Sequence, residues 1–262
     1  YPAMDILRLK SYLDSLVLRY NHISFIQDDP ISIPKQFSKR QDIEIIGFWT
    51  AMLAWGRRST IIAKAGELAA WMDNSPYDFI LNHKETDRKP FLNFKHRTFQ
   101  GDDALYFLHF FQSYYQHHNT LEDAFLVDGH NAGIKQGLIR FYETFTGDPL
   151  MMSRTKKHVS TPAKNSACKR LNMFLRWMVR KDAAGVDFGI WTRLRMEDLM
   201  IPLDVHVAKV ARRLGLLDRT KDDWMAVDEL TTRLIAFNPS DPIIYDYALF
   251  SLGVNDFREL PS

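Results

Sequence analysis

Apolar residues recur along most of the chain at intervals of three and four, whereas strict alternation of apolar and polar residues is scarce. The first pattern is typical of an amphipathic helix and the second of a half-buried strand. We therefore predict an all-α fold. The helices predicted from this spacing are Ile6–Tyr20, Asp42–Trp55, Asp103–His117, Ala132–Phe145, Ser166–Arg180, Val205–Leu214, Trp224–Phe237 and Pro242–Leu252.

Residues at the predicted helix ends support several of these boundaries. Gly56 is placed to end the second helix in the left-handed conformation, and Ser59 to cap a further helix that runs toward Met72. Asp241 precedes the last helix as a potential N-cap, and Gly253 is placed just beyond its end.

No internal repeat or low-complexity tract divides the chain, and no domain boundary is obvious. The polar stretch 83–100 and the basic stretch 147–165 are the candidates for long connections. We predict that residues 1–262 form one unit of two helical lobes that share a central cleft. The first lobe would span about 40–150 and the second about 150–253.

The composition favours a folded protein of a reducing compartment. Of the 262 residues, 46% are hydrophobic and 13% aromatic, which is enough for a substantial core. The single cysteine, Cys168, excludes a disulfide framework and a cysteine-ligated zinc or iron–sulfur site. No run of about eighteen apolar residues and no signal-peptide pattern is present. We expect a cytoplasmic protein without a membrane partner.

The net charge of +2 does not by itself indicate a polyanionic partner, but the charges are unevenly distributed. The segment from Arg154 to Lys181 has nine basic residues and no acidic one. Such a strip is typical of a surface that binds a phosphate backbone, and it is equally typical of a solvated face. The nine are Arg154, Lys156, Lys157, Lys164, Lys169, Arg170, Arg176, Arg180 and Lys181.

The predicted helix from Ser166 to Arg180 has an apolar stripe and a basic ridge. Lys169, Arg176 and Arg180 are seven and eleven positions apart, so they return to one direction on a helix of 3.6 residues per turn. A nucleic-acid backbone could lie along that ridge; alternatively, Lys169 is an ordinary exposed lysine of an amphipathic helix. The core-facing stripe consists of Ala167, Leu171, Phe174, Leu175 and Met178.

Asp204 directly precedes the predicted helix that begins at Val205, so it is a favourable N-cap. A capping carboxylate is held rigidly while one of its oxygens stays available. His206 and Lys209 add positive charge to the other side of this helix. A neutral amine attacks a sugar carbon when a neighbouring carboxylate takes its proton, so Lys169 and Asp204 together predict DNA glycosylase chemistry.

Two segments resemble a known superfamily. The run Lys169–Trp177 resembles the segment of helix-hairpin-helix DNA glycosylases in which a nucleophilic lysine precedes Phe-Leu-Arg. It is most similar to 8-oxoguanine glycosylases of the archaeal and second types. Pro202–Val207 is similar to the Pro-Val-Asp-Thr-His-Val segment that carries the catalytic aspartate. The resemblance extends over about 166–253, and the whole chain also resembles an uncharacterised family of bacterial proteins.

This resemblance implies a helix-hairpin-helix glycosylase-like fold in which Lys169 is the nucleophile and Asp204 its activating carboxylate. The superfamily's Gly-x-Gly turn is replaced here by residues 164–168, and Asp204 follows Lys169 by 35 positions, which implies an insertion around 181–199. The residues expected to bind DNA are Lys164, Asn165, Ser166, Arg170, Arg176, Arg180, His206, Lys209, Arg57 and Arg58. Those expected to line a base pocket are Trp55, Tyr245 and Phe250.

The sequence therefore predicts a monomeric glycosylase that acts on double-stranded DNA with a damaged base, such as 8-oxoguanine, without a metal or cofactor. Base flipping, attack by Lys169 and Schiff-base formation would give it AP lyase activity. One alternative is a non-catalytic DNA-binding protein with the same fold. Another is a fold that binds RNA or a free nucleoside or nucleotide.

Overall fold

The computed structural model describes residues 5–254, and these are mostly helical, which confirms the predicted helical class. One short antiparallel hairpin pairs β1 (Lys95–His96) with β2 (Phe99–Gln100). The α-helices are α1 (Ile6–Tyr20), α2 (Arg40–Met52), α3 (Arg58–Trp71), α4 (Pro76–Asn82), α5 (Lys89–Leu92), α6 (Gly101–Tyr115), α7 (Ile134–Thr146), α8 (Lys169–Val179), α9 (Val205–Arg213), α10 (Trp224–Phe237) and α11 (Tyr245–Val254).

The chain forms two compact units. The terminal unit combines the N-terminal segment up to Phe25 with the chain from Thr161 onward, and the central unit is Ile26–Ser160. Helix α1 therefore packs with α11 although most of the sequence separates them. The Tyr245 hydroxyl donates a hydrogen bond to Asp14 Oδ1 at 2.8 Å, which ties α11 to α1.

The central unit is built around the buried helix α2. Phe48 and Trp49 are fully buried and pack against aromatic rings of α6, including Phe107 and Phe111. Glu44 is also fully buried, and its oxygens accept hydrogen bonds from Tyr115, Thr120 and the amide of Leu121. A buried carboxylate with this many donors stabilises the packing of α2 instead of opposing it.

The helix ends agree with the sequence at some positions and differ at others. The predicted bounds of α1 and α10 are confirmed, whereas Ser59 lies inside α3, whose N-cap is Arg57. Asp241 precedes a 3₁₀ turn but makes no capping hydrogen bond. Gly253 lies within α11 instead of after it. The last two residues have tertiary partners, described below, that outweigh the local capping preference.

The stretch 83–100, predicted as a connection, contains α5 and the β1–β2 hairpin. Residues 147–165 lack α-helix and strand, as expected of a connection, and contain only 3₁₀ turns. Within residues 5–254, no helix has the length and apolar character that crossing a bilayer requires.

Candidate active site

Lys169 is the first residue of α8, three positions after the predicted helix start. Cys168, its N-cap, has φ +49°, and Asn165 has φ +58°, so the backbone turns twice through the left-handed region before the helix begins. Asparagine tolerates this conformation better than most residues. Ser166 Oγ accepts the Cys168 amide hydrogen bond at 3.3 Å, which supports the turn from the inside.

Asp204 is the N-cap of α9, as its sequence position predicts. One carboxylate oxygen, Oδ1, accepts hydrogen bonds from the amides of His206 at 2.9 Å and Val207 at 2.8 Å. These two bonds hold the carboxylate in one orientation and satisfy two of the free amides at the helix start.

The second oxygen of Asp204 lies 3.6 Å from Lys169 Nζ. The predicted proximity of the amine and the carboxylate is thereby confirmed. The Lys169 side chain is 33% exposed and that of Asp204 11% exposed, so the lysine is partly accessible while the carboxylate is largely enclosed. An amine and a carboxylate this close together can exchange a proton, directly or through one water.

The predicted basic ridge on α8 is wrong beyond Lys169. Arg176 is 8% exposed and Arg180 is fully buried. Arg180 donates hydrogen bonds to Asp241, Asp187 and Asp182, at 2.6–3.1 Å. Burial opposes the charge of Arg180, but the hydrogen bonds that Arg180 donates to Asp241 raise the pKa of the guanidinium above its ordinary value. Neither arginine is available to a DNA backbone.

The segment between α8 and α9 supplies a central member of this ion-pair cluster. Asp187 accepts hydrogen bonds from Arg176 Nε at 3.2 Å, Arg180 Nη1 at 3.0 Å and the Tyr247 hydroxyl at 2.7 Å. The amides of Phe188 and Trp191 also bond to carbonyls in the last turn of α8. The segment that the resemblance implies to be an insertion therefore closes the end of α8.

Asp246 of α11 is the other partner of Arg176, through Nη1. The pKa of Asp246 is raised to about 6: burial is the largest cause, the Arg176 guanidinium opposes it, and the charge of Asp204 adds to it. The cost of burying the carboxylate therefore exceeds the attraction of its partner. The Lys169–Asp204 pair and the buried cluster thus interact electrostatically.

The residues of the predicted hairpin have mixed surroundings. Lys164 and Asn165 are exposed and Ser166 is half-buried. Asn165 Nδ2 donates to Asp223 Oδ2 at 3.1 Å, and its carbonyl accepts from Trp224, so this turn is fixed to the start of α10. Arg170 is half-buried, and burial lowers its pKa to about 10, which leaves it charged at neutral pH. Their DNA contacts remain predictions.

His206 and Lys209 are exposed on α9, and Phe250 is half-buried with its ring 6.4 Å from that of His206. Their roles in DNA binding and in a base pocket remain predictions. Tyr245, in contrast, is 1% exposed, its ring packs on Phe237, and its hydroxyl bonds to Asp14. The prediction that Tyr245 lines a base pocket is therefore wrong, because α1 covers it.

Trp55, Arg57 and Arg58 belong to the central unit. Trp55 is half-buried, Arg57 is exposed and Arg58 is half-buried. Gly56 has a positive φ of +103°, but α2 already ends at Met52, so the prediction that Gly56 ends this helix is wrong. Base-pocket and wedge roles for this turn remain predictions.

Sequence reasoning missed Asp187 and Asp246. One signal was present: Asp246 and Tyr247 are polar positions in a helix that is otherwise apolar nearly all round. A carboxylate buried in such a helix needs a cation as its partner. Arg176 and Arg180 could supply one, because they are four positions apart and therefore lie on the same face of a helix. No comparable signal marks Asp187, which lies in an irregular segment.

No curated protein and no solved structure shows significant similarity to this chain. A family profile does match, and it covers most of the sequence. It is described as "Protein of unknown function (DUF2400)" and aligns with residues 29–255, a range that includes both Lys169 and Asp204. The chain belongs to this DUF2400 family.

Proposed function

We propose that the protein is a DNA glycosylase with AP lyase activity, in which Lys169 is the nucleophile and Asp204 its proton acceptor. One observation carries the proposal: Lys169 Nζ lies 3.6 Å from Asp204 Oδ2 while Asp204 Oδ1 is held by two backbone amides. A nucleophile beside a base that is itself oriented by further hydrogen bonds is the usual arrangement of an activated nucleophile.

The chemistry follows from these two groups. Asp204 accepts a proton from the Lys169 ammonium, and the neutral amine attacks C1′ of a flipped nucleotide. The new C–N bond forms as the glycosidic bond breaks, and the base leaves with the bonding electrons and takes a proton. Opening of the sugar ring gives a Schiff base. Loss of a proton from C2′ then expels the 3′ phosphate by β-elimination.

Two further observations support this function. The Lys169 and Asp204 segments resemble the corresponding segments of helix-hairpin-helix glycosylases, closest in motif to enzymes that remove 8-oxoguanine. In addition, the Lys169 side chain is one-third exposed, which is compatible with access by an external substrate.

A second candidate is a non-catalytic nucleic-acid-binding protein, and one observation favours it. In the superfamily, a Gly-x-Gly turn in the hairpin presents backbone amides to a DNA phosphate. In this chain the corresponding turn is Asn165–Cys168, which contains no glycine and follows the 3₁₀ turn Pro162–Lys164. A hairpin without glycine approaches a phosphate less closely.

Borohydride trapping separates the two candidates. Duplexes with 8-oxoguanine or an abasic site are incubated with the wild type, Lys169→Gln, Asp204→Asn and the control Lys221→Gln, which removes an exposed lysine that has no predicted role in the site. Borohydride reduces a Schiff base to a stable amine, so the wild type and Lys221→Gln should give a covalent adduct. Lys169→Gln should give none, and Asp204→Asn at least about a hundredfold less.

An adduct that persists in Lys169→Gln would show that another amine reacts and would contradict the assignment. If the wild type binds these duplexes but neither forms an adduct nor releases a base, the result supports the non-catalytic nucleic-acid-binding protein and contradicts the glycosylase. Gel analysis of the unreduced reaction distinguishes base release alone from strand cleavage.

A further inference from the structure

Three segments of the central unit meet around Trp55: the Gly56 turn, the β1–β2 hairpin and the turn Arg154–His158. The His96 and Trp55 rings meet edge to face, with their centroids 5.0 Å apart. The His158 ring stacks on the Trp55 ring, with a centroid distance of 6.1 Å. His96 Nε2 also donates to the Trp55 carbonyl at 3.2 Å. We call the exposed part of these three segments the Trp55 surface.

Arg154 and the hairpin are joined directly. The Arg154 guanidinium donates to the carbonyl of Thr98 at 3.4 Å and to Gln100 Oε1 at 2.9 Å, and it pairs with the buried Asp103 at 3.2 Å. Asp103 also accepts from the Thr155 hydroxyl at 2.7 Å. The turn is therefore anchored from below, so its outward-facing residues have a defined position.

The outward-facing residues of the Trp55 surface are strongly basic. Arg57, Lys95, Arg97, Lys156 and Lys157 are all exposed. Among the residues that the structure describes, none of these five pairs with a carboxylate. The exposed carboxylate of Asp102 faces Arg154 at 3.8 Å. Cations gathered without neutralising partners repel one another, and an anionic ligand removes that repulsion.

Arg97 is the clearest member of this set. It occupies the tip of the hairpin with φ +54°, a backbone conformation that favours glycine or asparagine over arginine. Its guanidinium lies over the Gly56 turn: a Cβ at position 56 would be 3.0 Å from Arg97 Nη1. Burial lowers the pKa of His96, and the charges of Arg97 and Lys64 lower it further, which reflects the positive potential here.

We infer that the Trp55 surface binds the phosphate backbone of duplex DNA, with Arg97 at its centre. The identity of the polyanion as DNA rests on the proposed function. The spacing of basic side chains over a turn, a hairpin and an anchored loop provides several separate phosphate contacts. Such contacts position a duplex without reading its sequence. This surface would therefore bind duplexes of different sequence with the same affinity.

Fluorescence anisotropy with a labelled duplex tests this inference. Arg97→Gly removes the charge and also relieves the left-handed backbone, so the fold should be retained. The double variant Lys95→Gln/Arg97→Gly should bind at least about tenfold more weakly, and its slope of log affinity against log salt should fall by about two. Arg97→Lys should restore most of the affinity lost in Arg97→Gly.

A matched control removes the same charge elsewhere on the central unit. Lys135 and Arg140 are exposed on α7, and Lys135→Gln/Arg140→Gln should bind as the wild type does. An equal loss in both double variants would assign the effect to net charge and overturn the inference. Unchanged affinity in the hairpin variant would also overturn it, as would clear preference for RNA over duplex DNA.

Equilibrium binding does not depend on the chemistry of Lys169, so the two proposals fail separately. If trapping fails but the hairpin variants lose affinity, the surface stands and the glycosylase proposal does not. If trapping succeeds while the hairpin variants bind normally, the Trp55 surface is not the phosphate-binding surface.

Discussion

Gly253 of α11 lies directly against His206 of α9. A Cβ at position 253 would be 2.7 Å from the His206 Cβ and 2.9 Å from its carbonyl oxygen, which is closer than such atoms pack. His206 donates one of the two amide hydrogen bonds to Asp204, so this contact determines where the carboxylate lies. Glycine is needed here for close approach of two helices, not for a helix end.

Gly253→Ala should therefore move the first turn of α9. We expect a loss of about 1–3 kcal/mol in the free energy of unfolding, as for other overpacked sites, and a reduced yield of borohydride-trapped adduct. Gly66→Ala is the matched control, because a Cβ in that helix would meet only Ile33 Cδ1 at 3.7 Å. Urea unfolding should show this control to be neutral or up to about 1 kcal/mol more stable.

The capping and chemical roles of Asp204 can be separated by two substitutions. Asp204→Asn keeps an oxygen that accepts the amides of His206 and Val207, so its stability should stay within about 0.5 kcal/mol of the wild type. Asp204→Ala removes the cap and should cost about 1 kcal/mol. Both should lose the trapped adduct. Retention of the adduct in Asp204→Asn would exclude a proton-accepting role.

Arg180→Met should destabilise the protein strongly, because it leaves Asp182, Asp187 and Asp241 without their shared cation. Removing one partner from a buried ion-pair cluster costs about 3–5 kcal/mol. Lys181→Met makes the same charge change at the next, exposed position and should have an effect within about 0.5 kcal/mol. If Arg180→Met instead leaves urea stability unchanged and weakens DNA binding, the arginine faces solvent and the buried cluster is wrong.

Asp246 should make stability depend on pH. Its folded-state pKa of about 6 is above the ordinary aspartate value, so between about pH 4 and 6 the folded protein binds more protons than the unfolded chain. The contribution of Asp246 to stability therefore decreases as the pH rises through that window. The test compares the free energies of unfolding of the wild type and Asp246→Asn at several pH values. The wild-type value minus the variant value should decrease by roughly 1–3 kcal/mol between about pH 4 and pH 6. A difference that rises over this window would contradict the raised pKa.

The local features of the site could be predicted from the sequence because they depend on residues within a few positions of each other. The 3.6-residue period places Leu171, Phe174 and Met178 on the buried face of α8, and each of them is buried. The cap at Asp204 requires only the amides two and three positions further on. The same local logic correctly predicted the bounds of α1 and α10.

Tertiary structure alone decided which charges are buried and which are accessible. Arg176 and Arg180 have the spacing of an exposed ridge, but both form ion pairs with aspartates from other parts of the chain. These partners are Asp241 and Asp246, near the start of α11, and Asp187 of the irregular segment between α8 and α9. The 3.6 Å separation of Lys169 and Asp204 likewise depends on how α8 and α9 pack, because the two residues are 35 positions apart in the sequence. Periodicity identifies the face of a helix but not what covers that face, because the partners come from parts of the chain that only folding brings together.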